Sequence, residues 1–539
     1  MIALPLPLLL LLTTSPRAEE PEPLPVVLPP PSTPAVVETF ELDGYLRTRG
    51  YQLYNLDLNR GPTPSSGEPI FPYTPSGGES FTGGNLRLRV DAAIRIVPEI
   101  SVHLRVDGLD NVPLGGTPAG FPADRWAPSA YATTSQQAPS SGVDSFQDSI
   151  SLKRAWGQAI TPFGAFMVGR MGMPMWGVGM LADPGEDLDD DFDENVDRIG
   201  FATTTFNHFI GVSYDWNAVG PSSASASGSL WGQDIDLEPS DDVHTVSVAL
   251  LRHLDEDAVD RRKRAGRPAF RYGAYATWRT QDTDVPSYWL GGLEEQDGSL
   301  SEDDLVERGF RAVAGDLFLD LLAPRWGFQL EAAHLRGSVA DLSLIQGVQA
   351  DEVTMTQTGG VVRAWVDLLE EQRLTLAAEA GFASGDDAPG MGVAPPLDQL
   401  EAQAGDLDGP QFSLPGDSTV DNFRFHPNYH VDLILWRQIV GTVTDAVYLR
   451  PALKSQPHER LALELAWIHS RAQQASSTPG GEAHLGDELD LSARWDVWHG
   501  LTGQLQYGLF LPGPGFRNLQ HDLEPTPAHA VRALVAFQF

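Results

Sequence analysis

The sequence predicts an all-β fold, a transmembrane up-and-down antiparallel β-barrel of about 18 strands (16–18) with long acidic extracellular loops and short periplasmic turns. Three observations predict it. Apolar and polar residues alternate with period two through most of the chain, long and short linkers alternate between the apolar-alternating runs, and the last run closes on an aromatic residue.

Composition narrows the field first. The 539 residues carry 73 acidic against 36 Lys and Arg side chains, a net charge of −37, with 53 Gly, 42 Pro and no Cys. Lack of Cys removes disulfide frameworks, thiolate metal sites and Cys nucleophiles. A charge so negative opposes phosphate backbones, so no nucleic-acid partner is expected. No apolar run reaches the roughly 18 residues that a membrane helix needs.

Residues 1–18 form a short apolar run followed by small residues, the pattern of a signal peptide that ends after Ala18. Residues 19–38 are rich in Pro and predict an extended periplasmic tether. The barrel is expected over 39–539. In its strands Leu86, Leu88, Val90, Ala92 and Ile94 alternate with Arg87, Arg89, Asp91 and Arg95, and Leu489, Leu491, Ala493 and Trp495 alternate with Asp490, Ser492 and Arg494. Such runs have the length of a tilted membrane-crossing strand, about 9–11 residues or more.

Candidate strands fall near 39–54, 82–97, 99–110, 149–160, 163–171, 196–204, 208–216, 242–253 and 269–280. They continue near 309–322, 325–338, 353–367, 372–384, 423–437, 459–472, 485–498, 501–511 and 528–539. Linkers after odd-numbered strands are long, and those after even ones are mostly tight turns such as Val97-Pro98, Thr161-Pro162 and His499-Gly500. Sorting by parity places every long loop at one rim, which a soluble Greek-key protein has no reason to do. Segments 254–268 and 438–458 break the series, and 438–458 reads equally as a strand pair, a periplasmic helix or a piece folded inward. Aromatic residues near strand ends (Trp156, Trp278, Trp365, Trp467, Trp495, Trp498 and Tyr507) suit interfacial girdles. Phe537 and Phe539, on one face of the last strand, form the expected signal for the barrel-assembly machinery.

Leu152–Met171 (LKRAWGQAITPFGAFMVGRM) and Leu485–Phe516 (LGDELDLSARWDVWHGLTGQLQYGLFLPGPGF) resemble hairpins of the alginate-export family of outer-membrane porins. From Phe40-Glu41-Leu42-Asp43-Gly44-Tyr45-Leu46-Arg47 onward, the chain looks more like a conserved, uncharacterised family of bacterial outer-membrane barrels. The resemblance implies a wide barrel in the outer membrane of a Gram-negative bacterium, a polar lumen and passive diffusion. It does not imply alginate.

Charge falls into two populations. Loops 183–197, 281–308 and 385–422 carry nine, nine and eight carboxylates against a single arginine, Arg308. The polar strand faces instead supply Arg47, Arg49, Arg87, Arg89, Arg95, Arg105, Arg271, Arg279, Arg363, Arg494 and Arg532, which are expected to line the pore. Fixed charges of this kind set ion preference or a transverse field. Salt-bridging to acids on neighbouring strands is the plainer role for the same set. Asp187, Asp189, Asp190, Asp191, Asp193 and Glu194 are candidate loop ligands for loosely bound Ca2+ or Mg2+, or for cation bridges to lipopolysaccharide. They lack the Gly and terminal Glu of a calcium hand. No dedicated cofactor is expected.

No catalytic residues are assigned. His469 and Ser470 are adjacent on a strand and face opposite sides, and His426, His430 and Asp432 lack a metal-like spacing. No nucleophile elbow, zinc motif or phosphate loop occurs. The function expected is a porin-like channel for small hydrophilic or anionic solutes, including saccharides. A structural or adhesive surface barrel is the alternative, and an open conductance separates the two.

Overall fold

The computed structural model describes residues 39–64, 67, 79–114, 139–140, 143–144, 150–174, 176–217, 242–252, 254–284, 306–341, 352–369, 373–391, 403–407 and 418–539. The expected signal segment 1–18 and tether 19–38 lie outside the described residues. Eighteen strands form one sheet. They are β1 (Thr39–Tyr54), β2 (Ser80–Val97), β3 (Ile100–Pro113), β4 (Ile150–Thr161), β5 (Gly164–Gly172), β6 (Asn195–Thr205), β7 (His208–Asn217), β8 (Val243–Arg252) and β9 (Ala269–Asp284). The second half comprises β10 (Val306–Leu322), β11 (Trp326–Val339), β12 (Val353–Asp367), β13 (Leu374–Ala383), β14 (Ala446–His458), β15 (Leu461–Ala472), β16 (His484–Trp498), β17 (Leu501–Pro512) and β18 (Ala528–Gln538).

Each strand pairs antiparallel with its sequence neighbour, and β18 pairs back onto β1 from His529↔Tyr54 to Gln538↔Tyr45. Phe539 extends that seam: its N–H donates to the Gly44 carbonyl at 3.0 Å, and its own carbonyl accepts from Gly44 N–H at 3.0 Å. The sheet is therefore a closed barrel without a free edge. Closure satisfies every strand N–H and C=O inside hydrocarbon, which an open sheet cannot do.

Side chains sort by parity. In β8, Val246, Val248 and Leu250 point outward and are exposed, while Thr245, Ser247 and Ala249 are buried inside. Outward apolar residues recur around the barrel (Leu42, Ile94, Phe166, Phe201, Leu317, Val362, Leu449, Leu465, Leu491, Val535). An apolar exterior around a polar interior is the arrangement of an outer-membrane barrel. Trp278, Trp467, Trp495, Trp498 and Tyr507 are also exposed, as girdle residues should be. Trp156 and Trp365 are not: Trp156 is buried and stacks on His103 at 4.1 Å, and Trp365 packs against the Val259 cluster.

Two corrections concern the segments that broke the parity series. Residues 254–268 hold a helix, α1 (Glu256–Arg264), on the short-turn side; Asp255 caps it through Ala258 N–H at 2.5 Å, and Val259 is buried. The expected strand 423–437 is not a strand, because that segment folds into the barrel. The fourteenth strand is β14, drawn from the unplaced 438–458, and it returns to β15 through the two-residue turn 459–460. The alternation at Phe423, Phe425, Val431 and Leu433 marks burial in the lumen, where both sides of the chain have partners.

Candidate functional site

Two loops of the chain enter the lumen and meet there. The first, 173–194, connects β5 to β6; the second is 418–445, ahead of β14. Loop 173–194 reaches opposite walls. Trp176 is buried edge-on against Tyr275 of β9 and Phe318 of β10, with ring centroids 5.2 and 5.1 Å away, and its Nε1–H donates to Asp316 at 2.5 Å. Gly177, at φ +58°, turns the chain so that the N–H groups of Val178 (2.5 Å) and Leu181 (3.2 Å) donate to Glu331 of β11. A Cβ at Gly177 would sit 2.3 Å from that carboxylate, so both conformation and space require glycine.

The other end of the same loop caps the arginine wall. Arg47 Nη1 donates to the carbonyls of Leu188 (2.8 Å) and Asp190 (2.9 Å), and Arg87 Nη1 to that of Asp190 (2.8 Å). Arg89 holds Asp107 through two bonds of 2.7 Å and Asp193 at 2.6 Å. Arg49 bonds Asp189 (3.1 Å) and Asp191, and Arg105 and Arg154 both reach Glu186. Arg532 of β18 also bonds Asp189, at 3.1 Å. Arg47, Arg87 and Arg89 are at most 1% exposed.

The acidic run 183–194 is thus an internal loop, which corrects the expectation of an external one. Its position corrects two site readings as well. Arg47, Arg49, Arg87, Arg89, Arg105 and Arg532 point inward but lie beneath the loop, so they do not present bare guanidinium groups to the pore. Asp189, Asp191 and Asp193 spend their lone pairs on arginine and Asp190 accepts the N–H of Asp187 at 2.7 Å. Among the described residues, Asp187, Asp189, Asp190, Asp191, Asp193 and Glu194 form no cluster converging on a cation.

The remaining arginines are dispersed. Arg271 pairs with Asp320 at 2.5 Å, and Arg363 pairs with Glu379 at 2.7 Å while lying 5.0 Å over the Tyr429 ring. Arg279 is buried in β9. Arg95 with Glu41 (3.3 Å) and Arg494 with Asp496 (3.7 Å) face inward and are about half exposed near the short-turn end, so that mouth is wet.

Segment 418–445 supplies the lumen with an apolar core of Phe423, Phe425, Val431, Leu433, Ile434, Trp436, Ile439 and Val443. A Cβ at Gly359 of β12 would come within 2.1 Å of the Phe423 ring, so the wall is cut away to admit it. Residues 434–440 wind as a π-helical turn, with Ile439 N–H donating to Ile434 at 3.0 Å and Val440 N–H to Leu435 at 2.9 Å. Asp432 caps the turn by accepting from Trp436 N–H (2.9 Å), and Glu488 of β16 accepts from Leu433 (3.0 Å), Ile434 (2.8 Å) and Leu435 (3.1 Å). The two loops join where Arg437 bonds Asp189 at 2.8 Å and Asn428 accepts from Asp191 N–H at 3.2 Å.

Titration behaviour within the loops follows burial. Burial pushes Asp190 up to about 8, aided by Asp183, and Glu194 up to about 8 for the same two reasons. Asp189 is equally buried, yet Arg437 and Arg532 outweigh that and hold it well below the usual carboxylate range. Burial lowers His426 to about 4, so burial disfavours charge on both partners of its 3.8 Å approach to Glu194. Burial and Asp490 push Asp432 up to about 8. His426 accepts from Asn428 N–H at 3.1 Å and Asp432 caps its turn, so these two side chains are engaged structurally rather than as a reactive pair.

Sequence reasoning missed Trp176, Gly177, Arg437 and Glu488. The signal available was chemical: a Trp and two glycines beside an acidic run, and apolar residues in a segment too long for a rim loop.

No protein-family description matches the sequence, and no curated protein matches it. Solved structures do resemble it in shape. The outer membrane protein OpdK of Pseudomonas aeruginosa is 9% identical with a TM-score of 0.47, covering 93% of this chain and 98% of its own. OccK8 (OprE) of the same organism is 10% identical with a TM-score of 0.44, covering 93% and 98%. The outer membrane channel DcaP of Acinetobacter baumannii is 11% identical with a TM-score of 0.34, covering 93% and 97%.

Proposed function

We propose that this outer-membrane barrel is a porin-like channel for passive diffusion of small hydrophilic solutes, with loops 173–194 and 418–445 as its selectivity element. One observation carries the reading: a closed 18-strand barrel has a charged inner wall, loop 173–194 crosses the lumen with hydrogen bonds to opposite sides, and segment 418–445 packs inside beside it. A structural barrel has no need of a wet charged mouth such as that formed by Arg95, Glu41, Arg494 and Asp496. The inner wall is densely ion-paired, with Arg49, Arg89 and Arg532 held by loop carboxylates on one side and Asp320 and Glu379 held by Arg271 and Arg363 on the other. Paired charges of this kind offer both donors and acceptors to a polar solute, for example a sugar or a hydroxy acid.

The lipid-facing exterior supports lipopolysaccharide as a partner. A groove of about 540 Å³ at the long-loop edge of the apolar band is lined by Trp278, Arg311, Arg336 and Ser338, with Glu352 as its one carboxylate. Arg336 has no ion-pair partner among the described residues, which leaves its charge for a lipid phosphate. Phe537 and Phe539, both outward and about half exposed, are available to the assembly machinery. The deciding experiment is single-channel conductance of the refolded full chain in planar bilayers, with graded sugars as blockers. Steady ion conductance reduced by small sugars supports the reading; a sealed lumen overturns it in favour of a structural or adhesive barrel.

A further inference from the structure

On the outside of the barrel, away from both loops, His469 of β15, His484 and Asp487 of β16 bring one ligand atom each to within 4.8 Å of one another. His469 Nδ1 lies 2.9 Å from Asp487 Oδ1, and His484 Nε2 lies 3.5 Å from Asp487 Oδ2. A tetrahedral centre with bonds of about 2.0–2.1 Å separates its ligand atoms by roughly 3.3 Å. Both distances, one to each Asp487 oxygen, lie near that spacing. The imidazole rings lie nearly parallel with centroids 5.3 Å apart.

Strand geometry explains the convergence. His469 is cross-strand partner of Asp487, and Arg471 is partner of His484. The register shift between Ser470 and Arg471 takes up one residue and turns His484 onto the face that Asp487 occupies. Two further features point to a ligand. His484 Nε2 is buried within the cluster and lacks a hydrogen-bond partner. Trp467 Nε1–H donates to Asp487 at 3.1 Å, the kind of outer contact that fixes a ligating carboxylate. All three side chains remain about one-third exposed, which leaves room for a water in a fourth position. Two imidazoles and a carboxylate suit zinc and its neighbours better than Ca2+ or Mg2+.

We propose that His469, His484 and Asp487 form a site for a first-row divalent cation of the zinc type on the lipid-side rim of the barrel. The site is separate from the lumen and does not depend on the channel reading.

The test uses the refolded full chain in detergent, titrated with Zn2+ by calorimetry and with Co2+ by visible absorption. One cation per chain is expected, with tetrahedral-type Co2+ bands. His469→Ala, His484→Ala and Asp487→Asn should each weaken binding by about tenfold or more, since even outer-contact changes weaken metal sites by roughly 10–100-fold. His529→Ala, another outward histidine, should leave it unchanged. Absence of stoichiometric binding by the wild-type chain, or unaltered affinity in His484→Ala with a native barrel spectrum, would overturn the proposal.

Discussion

Asp189→Asn is the sharpest probe of the lumen. This one carboxylate receives Arg49 at 3.1 Å, Arg437 at 2.8 Å and Arg532 at 3.1 Å, so it ties loop 173–194 to β1, to β18 and to the second loop. Neutralising it leaves three buried guanidiniums short of a partner, and breaking a buried pair in this way costs about 3–5 kcal/mol. That cost falls on loop docking, because the strand ladder is untouched. The electrical consequence is separable. An ion passing about 6 Å away changes energy by about 0.7 kcal/mol if the path is water-like, and by about 3 kcal/mol at an effective dielectric near 20. The lower figure alone shifts anion partitioning by about threefold. Reversal potential in a salt gradient reads this directly, with Asp522→Asn as a rim control, an exposed carboxylate paired with Arg517 at 2.8 Å. A clear move toward anions is expected. If Asp189→Asn moves the reversal potential no more than the rim control, the loop does not border the ion path and the selectivity assignment fails.

Docking of loop 173–194 should also weaken as pH rises. Asp190 and Glu194 are pushed up to about 8 by burial, so the docked loop holds protons that a free loop releases from about pH 4 upward; docking is therefore strongest below that range and declines through pH 8. Asp189 acts oppositely only below the free carboxylate range, so protease sensitivity at 183–194 should increase between pH 5 and 9, and Asp190→Asn should flatten that increase. Trp176→Phe keeps an aromatic ring against Tyr275 and Phe318 but strands Asp316, a loss of about 1–3 kcal/mol that a raised open-channel conductance should reveal. Arg336→Ala should reduce co-purification of phosphorylated glycolipid in native mass spectrometry, with Arg252→Ala unchanged. Phe539→Ser preserves the backbone bonds to Gly44 yet should lower the inserted fraction of newly made barrel in cells.

The barrel was legible because membrane strands expose their rule in the chain. Seventeen of the candidate strands coincide with observed ones, since lipid outside and polar groups inside force period two on each. The exception, 423–437, shows the limit of that logic: Phe423 and Phe425 enter the apolar lumen core while the intervening polar positions, such as Asn422 bonded to the Met391 carbonyl at 3.2 Å, turn elsewhere, as a strand's two faces would differ. Charge was harder to place. Nine carboxylates in 183–197 look solvated until the arginines of β1–β4 are known to converge behind them, and that convergence is set by register between strands far apart in sequence. Arg87 and Arg89 were readable as inward residues, whereas the loop that covers them was not.

The two inward loops are built from different materials, and this assigns them different roles. Segment 418–445 is held mainly by apolar burial and by bonds from its backbone to Glu488, with the Arg437–Asp189 ion pair tying it to the other loop. Loop 173–194 is held to the β1–β4 wall mainly through arginine, by bonds to carboxylates and to carbonyls, and several of its own carboxylates sit near the edge of ionisation. Screening weakens exposed charge pairs more than buried ones, so the outer members such as Glu186 yield first while Asp107 and Arg89 hold. Salt therefore acts chiefly on the docking of 173–194, whereas pH reaches both loops, through Asp190 and Glu194 in one and through the Asp432 cap in the other.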